Sequence, residues 1–270
     1  MWEWIAGSAA AAAGLLGWMS KEAYGYRLRR EEVCSPRIPD AFNGYKILYM
    51  TDIHRRQLSE RKLRAWLEEA DCVFLGGDIT ERGVPWERLR SNMQLLRKYA
   101  PVYAVLGNHD LKAGKEQVRQ ILRETGVVLL SDKSVELVKG AHRIVLSGIQ
   151  QPASKYHPYT RYRGRNREGR YHIVLVHDPR WVKDRTDYPY DLVLAGHTHG
   201  GQIVLPLAGA VKLEKFYQSY KAGWYDLPGK EDGATAGPPF LISKGFGTSH
   251  LPLRLGCPAE LHLITLKQKP

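Results

Sequence analysis

Five short stretches of this chain carry the residue types that hold divalent cations. Asp52 and His54 stand two apart; Asp78 lies in GGDITERG; Asn108, His109 and Asp110 form GNHD; His177 follows HIVLV; His197 and His199 lie in GHTHGGQ. Carboxylate, amide oxygen and imidazole suit Mn²⁺, Fe or Zn²⁺ better than a soft-metal site, and no stretch offers a thiolate. Seven of these residues are candidate ligands: Asp52, His54, Asp78, Asn108, His177, His197 and His199. That is too many for one tetrahedral ion. It suits two ions that share a bridging carboxylate and keep positions open for water and substrate. Such a pair activates water and neutralises charge on phosphoryl oxygens, which is the chemistry of phosphate-ester hydrolysis. Singly each stretch is weak, because a strand-end Asp is more often a turn or helix cap. The ordered set is specific.

The elements that must position these residues are readable around them. Tyr45–Met50, Cys72–Leu75, Val102–Leu106, Arg143–Ile149, His172–Val176 and Leu192–Ala195 are short apolar runs that predict buried strands, with later strands at Phe240–Ser243 and Leu261–Leu266. Leu58–Ala70, Glu87–Tyr99 and Lys115–Thr125 have helical spacing. The alternation predicts an α/β fold. Each stretch of candidate ligands falls just past the carboxyl end of a strand, the edge where open α/β sheets bind ligands. Glycines flank several of them, as sharp turns close to an ion require.

In these blocks, Asp52-x-His54, Gly77-Asp78, Gly107-Asn108-His109-Asp110, His177 and Gly196-His197-x-His199, the chain resembles the calcineurin-like metallophosphoesterases. The resemblance runs from about Tyr45 to Leu266. GHTHGGQ, the apolar N-terminus and PLRLGCPAEL look closest to a bacterial, membrane-linked branch that includes enzymes resembling UDP-2,3-diacylglucosamine pyrophosphatases. The resemblance implies a two-layer β-sandwich flanked by helices. It implies that Asp52, His54 and His199 hold one ion, that Asn108, His177 and His197 hold the other, and that Asp78 bridges them. His109, next to a ligand, is the expected proton donor to the leaving group or stabiliser of the transition state. Asp110 is expected either to orient His109 or to cap a helix. The chain departs from the family in His54-Arg55-Arg56, which bears on substrate access.

The uncharged run from Trp4 to Met19 spans roughly 24 Å as a helix, slightly short of a ~30 Å hydrocarbon core. Trp2, Trp4 and Trp18 near its ends and Lys21, Arg27, Arg29 and Arg30 after it predict a single membrane span with the catalytic body on the cytoplasmic side. This divides the chain into an anchor helix (1–26), a charged linker (27–43) and a catalytic domain (44–270). A formal net charge of +12 over 270 residues favours anionic partners. These would be a phosphorylated small molecule or lipid substrate and an acidic membrane surface, with nucleic acid less favoured; no protein partner follows. The densest basic segment in the body, between Lys155 and Tyr171, interleaves Arg161, Arg163, Arg165, Arg167 and Arg170 with tyrosines, as a polyanion clamp or a solvated loop would. Three cysteines without C-x-x-C spacing argue against a disulfide framework. The expected activity is two-metal hydrolysis of a phosphodiester, pyrophosphate or phosphomonoester on a membrane-associated or nucleotide-linked substrate. A nuclease and a non-catalytic basic binding module are the alternatives.

Overall fold

A computed structural model of the chain describes residues 2–153, 157, 159, 169–184, 190–227 and 237–269. In chain order the elements are α1 (Trp2–Tyr24), β1 (Leu28–Cys34), β2 (Lys46–Met50), α2 (Glu60–Glu69), β3 (Cys72–Leu75), α3 (Trp86–Tyr99), β4 (Val102–Ala104), α4 (Asn108–Glu124), β5 (Val128–Leu129), β6 (Lys133–Lys139), β7 (His142–Gly148), β8 (His172–Leu175), β9 (Leu192–Ala195), β10 (Val204–Leu205), β11 (Gly209–Ala210), α5 (Lys215–Ser219), β12 (Gly223–Asp226), β13 (Pro239–Ile242) and β14 (Leu261–Lys267).

Two six-stranded sheets result, ordered β1-β14-β2-β3-β4-β5 and β12-β13-β9-β8-β7-β6, with β10-β11 a small separate hairpin. The apolar runs are continuous because their strands are covered on both faces. Alternate residues sort them. Ile47, Tyr49 and Phe74 of the first sheet meet Ile144, Leu146, Ile173, Leu175 and Leu194 of the second in a core between the sheets. Leu48, Met50, Val73 and Leu75 face the other way, onto Leu63 and Leu67 of α2, Met93 and Leu96 of α3, and Val118 and Ile121 of α4. Val174, Val193, Phe240 and Ile242 cover the outer face of the second sheet with Trp181 and Tyr190. The sandwich flanked by helices is therefore as expected. In the first sheet β2, β3 and β4 run parallel, and in the second β7, β8, β9 and β13 do, so the carboxyl ends of each set open onto a common edge.

Two expectations are corrected. The N-terminal segment is a helix, α1, but no helix among the described residues is long and apolar enough to cross a membrane. Its apolar length holds more alanine than any other residue and is broken by Gly7, Gly14 and Gly17, so its hydropathy is too low for a span. Trp4, Leu15, Leu16 and Trp18 are exposed, and its C-terminal end meets the body, through the buried Ala23 and the carbonyls of Met19 and Glu22. The segment read as a linker holds β1, which pairs in parallel with all of β14, and Ile38 and Phe42 beyond it are fully buried. Its charges mislead because β1 is an edge strand that fully buries only Val33 and leaves Arg30, Glu32 and Cys34 in water. Of the basic segment, 155, 156, 158 and 160–168 lie outside the described residues; Arg170 pairs with Glu136, and Tyr171 is buried.

Candidate active site

The five predicted stretches arrive at one edge. Asp52 and His54 follow β2, Asp78 follows β3, Asn108 and His109 begin α4 after β4, His177 follows β8, and His197 and His199 follow β9. Backbone bonds stitch the turns together: Asp52 N donates to Gly77 O at 2.9 Å, His54 N to Asp78 O at 3.0 Å, and Gly196 N to His177 O at 3.0 Å. Asp52, His54, Asp78, His197 and His199 all sit at φ between 50° and 71°, a left-handed conformation that costs non-glycine residues of order 1–3 kcal/mol each and gathers at functional sites. Two glycines are required by close approach. A Cβ on Gly107 would overlap the Asp78 carboxylate, and one on Gly196 would overlap the Asp52 carboxylate.

Three donor clusters form among the described residues: one joins His54 to Glu81 and His109, and the other two consist of predicted ligands alone. Asp52, His54 and His199 gather their ligand atoms within 4.8 Å of one another, and so do Asp78, His177 and His197. In the first, His54 Nε2 and His199 Nε2 stand 3.1 Å apart and His199 Nε2 is 3.4 Å from Asp52 Oδ1. Those two ring nitrogens share at most one proton, and Asp52 Oδ1 is buried with no hydrogen-bond partner. A cation resolves both conditions, so the donors fit a metal ion. In the second, His177 Nε2 lies 3.2 Å from Asn108 Oδ1, 3.1 Å from His197 Nδ1 and 3.2 Å from Asp78 Oδ2. Asp78 Oδ2 is also 3.8 Å from His54 Nε2, so one carboxylate oxygen faces both clusters. All seven predicted ligands come together.

Around them stand groups that fix orientation. His54 Nδ1 is 2.9 Å from Glu81 Oε2, the carboxylate placement that leaves the other ring nitrogen free to bind a metal. His197 Nε2 faces Asp178 Oδ2 at 3.9 Å, and Asp178 in turn accepts from the Tyr217 hydroxyl at 3.0 Å. Arg254, fully buried, donates to Lys244 O, Gly247 O and Cys257 O and sets Nη2 3.2 Å from His199 Nδ1. None of Glu81, Asp178 or Arg254 stands out from sequence. Each lies inside a stretch that does: Glu81 in GGDITERG, Asp178 after His177, Arg254 in PLRLGCPAEL.

His109 reaches the same rim. Its backbone N donates to Asp78 Oδ1 at 2.7 Å, and its ring stands edge-on to His54 with centroids 4.8 Å apart. Asp110 is turned away from it. Its two oxygens accept from Thr80 N at 2.9 Å and Gly107 N at 2.8 Å, which caps α4 and braces the turn after β3. The expected pairing of Asp110 with His109 is therefore replaced by capping, and the carboxylate facing the His109 ring is Glu81, 3.9 Å from Nδ1.

The charges are uneven. Burial alone would raise the Asp78 pKa, but His177, His54 and His109 outweigh it and hold the carboxyl far below its usual range. Burial would likewise lower His177, yet Asp78 raises it to about 10. Burial and the neighbouring Asp78 push Asp110 up to about 7. Burial lowers His109, with Asp78 opposing. His199 lies well below the usual histidine range, through burial and then His54 and Arg254.

Two cavities border this centre and meet at His250. One, of about 410 Å³, is lined by Arg55, Arg56 and Arg88, by Thr248, and by the last turn of α1. The other, of about 470 Å³, opens between the turn after β9 and α5 and is lined by apolar Ile203, Val211, Leu213 and Leu251 beside His197, His199 and Tyr217.

The calcineurin-like phosphoesterase profile matches residues 45–201, which include every predicted ligand, and the chain belongs to that family. It is a metal-dependent phosphoric ester hydrolase. Among its relatives, the uncharacterized protein YpbG of Bacillus subtilis (strain 168) is 32% identical over 82% of this chain and 80% of its own. Phosphodiesterase YaeI of Escherichia coli (strain K12) is 25% identical over 82% of both. A 5′-nucleotidase precursor from Thermus thermophilus superposes with a TM-score of 0.50 at 15% identity, covering 82% of this chain and 54% of that longer one, which shows the shared fold. None of these names carries the UDP-2,3-diacylglucosamine pyrophosphatase branch.

Proposed function

We propose that this chain hydrolyses phosphodiesters at a binuclear centre of Mn²⁺, Fe or Zn²⁺. One observation supports the two-ion reading above others: Asp78 Oδ2 lies between two donor clusters, each of which lacks a full coordination set without it. Asp52, His54 and His199 would hold one ion, Asn108, His177 and His197 the other, and Asp78 both. Lewis acidity toward phosphoryl oxygens and toward water is what such a pair contributes. The chain's own residues do the rest. Glu81 and Asp178 aim His54 and His197. His109, beside Asp78 and facing the rim, gives a proton to the departing ester oxygen. A cavity on each side of the centre leaves room for two ester substituents, which favours a diester, and the relative named a phosphodiesterase agrees with that choice.

The test is metal content and turnover together. After reconstitution with Mn²⁺, elemental analysis should give about two ions per chain, and bis(p-nitrophenyl) phosphate should be hydrolysed faster than p-nitrophenyl phosphate. One ion or fewer would reject the binuclear reading. Preference for the monoester would reject the diester reading.

A further inference from the structure

Resting on that reading, we propose that the cavity between α1 and the start of α3 binds a second anionic group of the substrate, a phosphate or phosphonate-like group beyond the scissile ester, through Arg55 and Arg88.

The two arginines after His54 do different things, and the difference defines the pocket. Arg56 is buried, and its guanidinium is committed to the backbone. It donates to Phe246 O at 2.5 Å, Tyr24 O at 2.7 Å and Gly25 O at 2.7 Å, and its Cζ lies 4.3 and 3.7 Å from the ring centroids of Tyr26 and Phe246. Arg56 therefore supplies positive potential to the pocket wall with few donors left for a ligand. Arg55 is the reverse: its side chain is 70% exposed. Its Nε is taken by Glu81, which leaves its two Nη groups for the cavity. Arg88, in the first turn of α3, uses Nη1 on Arg55 O at 2.7 Å, which holds it against the same wall. Thr248 and His250 add polar groups opposite, and the His250 ring lies 6.3 Å from that of His109.

Three guanidinium groups thus line one concavity, while the carboxylate bound to Arg55, Glu81, is shared with His54. Like charges gathered in a concavity focus a positive potential and favour an anionic occupant. Arginine's planar fork recognises phosphate oxygens bidentately. The cavity adjoins the catalytic rim, through Arg55 next to His54 and His250 beside His109, so an anion there belongs to a substrate whose scissile phosphorus is at the metals. The apolar cavity on the other side of His250 offers no such cations apart from Lys212. The geometry thus favours an unsymmetrical substrate, a phosphodiester or diphosphate with its additional negative charge on the Arg55 side.

The probes are methylenediphosphonate, with two anionic centres, and methylphosphonate, with one, titrated calorimetrically into the Mn²⁺-reconstituted full chain. The unaltered protein should bind the diphosphonate at least about tenfold more tightly, a margin that a good charge-assisted pair can supply. Arg88→Ala should reduce that ratio about tenfold, Arg55→Ala by at least as much, and Arg88→Lys should restore part of it. Thermal melting of each variant checks that the fold is kept, and Arg88→Glu provides a second reading at the same half-buried position by reversing the charge. An unchanged ratio in folded Arg88→Ala and Arg88→Glu would overturn the proposal, even if the protein proved an active diesterase. Failure to hydrolyse any ester would reject the catalytic reading and leave these binding ratios standing on their own.

Discussion

Two buried clusters among the described residues combine histidine with carboxylates, and they are built differently. At the rim, Asp52, Asp78, His54, His177, His197 and His199 crowd together, all but His177 on left-handed backbone, with Asp52 Oδ1 unpartnered and ring nitrogens facing one another at 3.1 Å. Around β14, His262 lies 3.6 Å from Glu260 and 3.4 Å from Glu31 and shares a 3.1 Å hydrogen bond with Ser243. Glu260 is also bound by Arg29 and by Lys244 N. There each charge faces an opposite one on backbone without positive φ, and although His262 Nδ1 lacks a hydrogen bond it lies 3.4 Å from the Glu31 carboxylate, so no added cation is needed. Buried histidine beside carboxylate is thus no sign of a metal. Excess donors aimed at one point on strained backbone are.

The largest test of that contrast is Asp78→Ala. It should lower metal content at both positions and cut turnover by at least about 10³-fold, several kcal/mol of transition-state charge stabilisation. Asp52→Ala should lower metal content toward one ion. Equal loss from the two variants would mean that Asp78 is not shared. Next comes His109→Ala, expected to reduce kcat roughly 10²–10⁴-fold on an ester with a poor leaving group while metal content stays put. The loss should shrink as the leaving group improves; an equal loss across leaving groups would assign His109 to charge stabilisation instead of proton transfer.

The β14 cluster should answer in stability and not in metal content. His262→Leu removes the cation between two carboxylates and should cost about 3 kcal/mol in urea unfolding, with metal content unchanged. A fall in bound metal would join this cluster to the site. The smallest effect is its pH dependence. Burial opposes charge on both partners, but His262 lowers Glu260 to about 2, while Glu260 and Glu31 raise His262. The carboxylate's contribution is present above its unfolded value of about 4.3 and is lost as pH falls toward its folded one. The imidazolium's is full below about 6.5 and is lost as pH rises through its higher folded value. The stability gap between the parent and His262→Leu should therefore be widest from about pH 4.5 to 6.5 and should narrow above it. A gap that is flat up to pH 9 would show His262 to be neutral.

Much of the rim was legible because strand ends mark it. Asp52, Asp78, Asn108, His177 and His197 each follow an apolar run whose length and β-branched content identify a strand, so position along the chain stood in for position in space. What was not legible depends on contacts distant in sequence. β1 reads as a charged linker until its partner, more than 200 residues away, is known. Glu81 stands in GGDITERG, but only its 2.9 Å approach to His54 sets it apart from any surface glutamate. Asp110 offered two roles on equal terms, and the choice lay in which backbone N–H groups its oxygens meet. Arg55 and Arg56 are neighbours of one type, and nothing in the sequence separates the exposed one from the one enclosed by carbonyls.

That enclosure decides where the catalytic unit begins as a heritable piece. The carbonyls of Tyr24 and Gly25 that cradle Arg56 belong to the end of α1 and the residue after it, and Met19 O and Glu22 O of the same helix accept from Arg254 N and Ala259 N. A gene trimmed to start at Arg27 would still encode all seven metal-binding side chains. Its product would bury an arginine that keeps Phe246 O but has lost the Tyr24 and Gly25 carbonyls, directly behind the turn that carries His54. The last turn of the terminal helix is therefore inherited with the active site, whatever becomes of the turns before it.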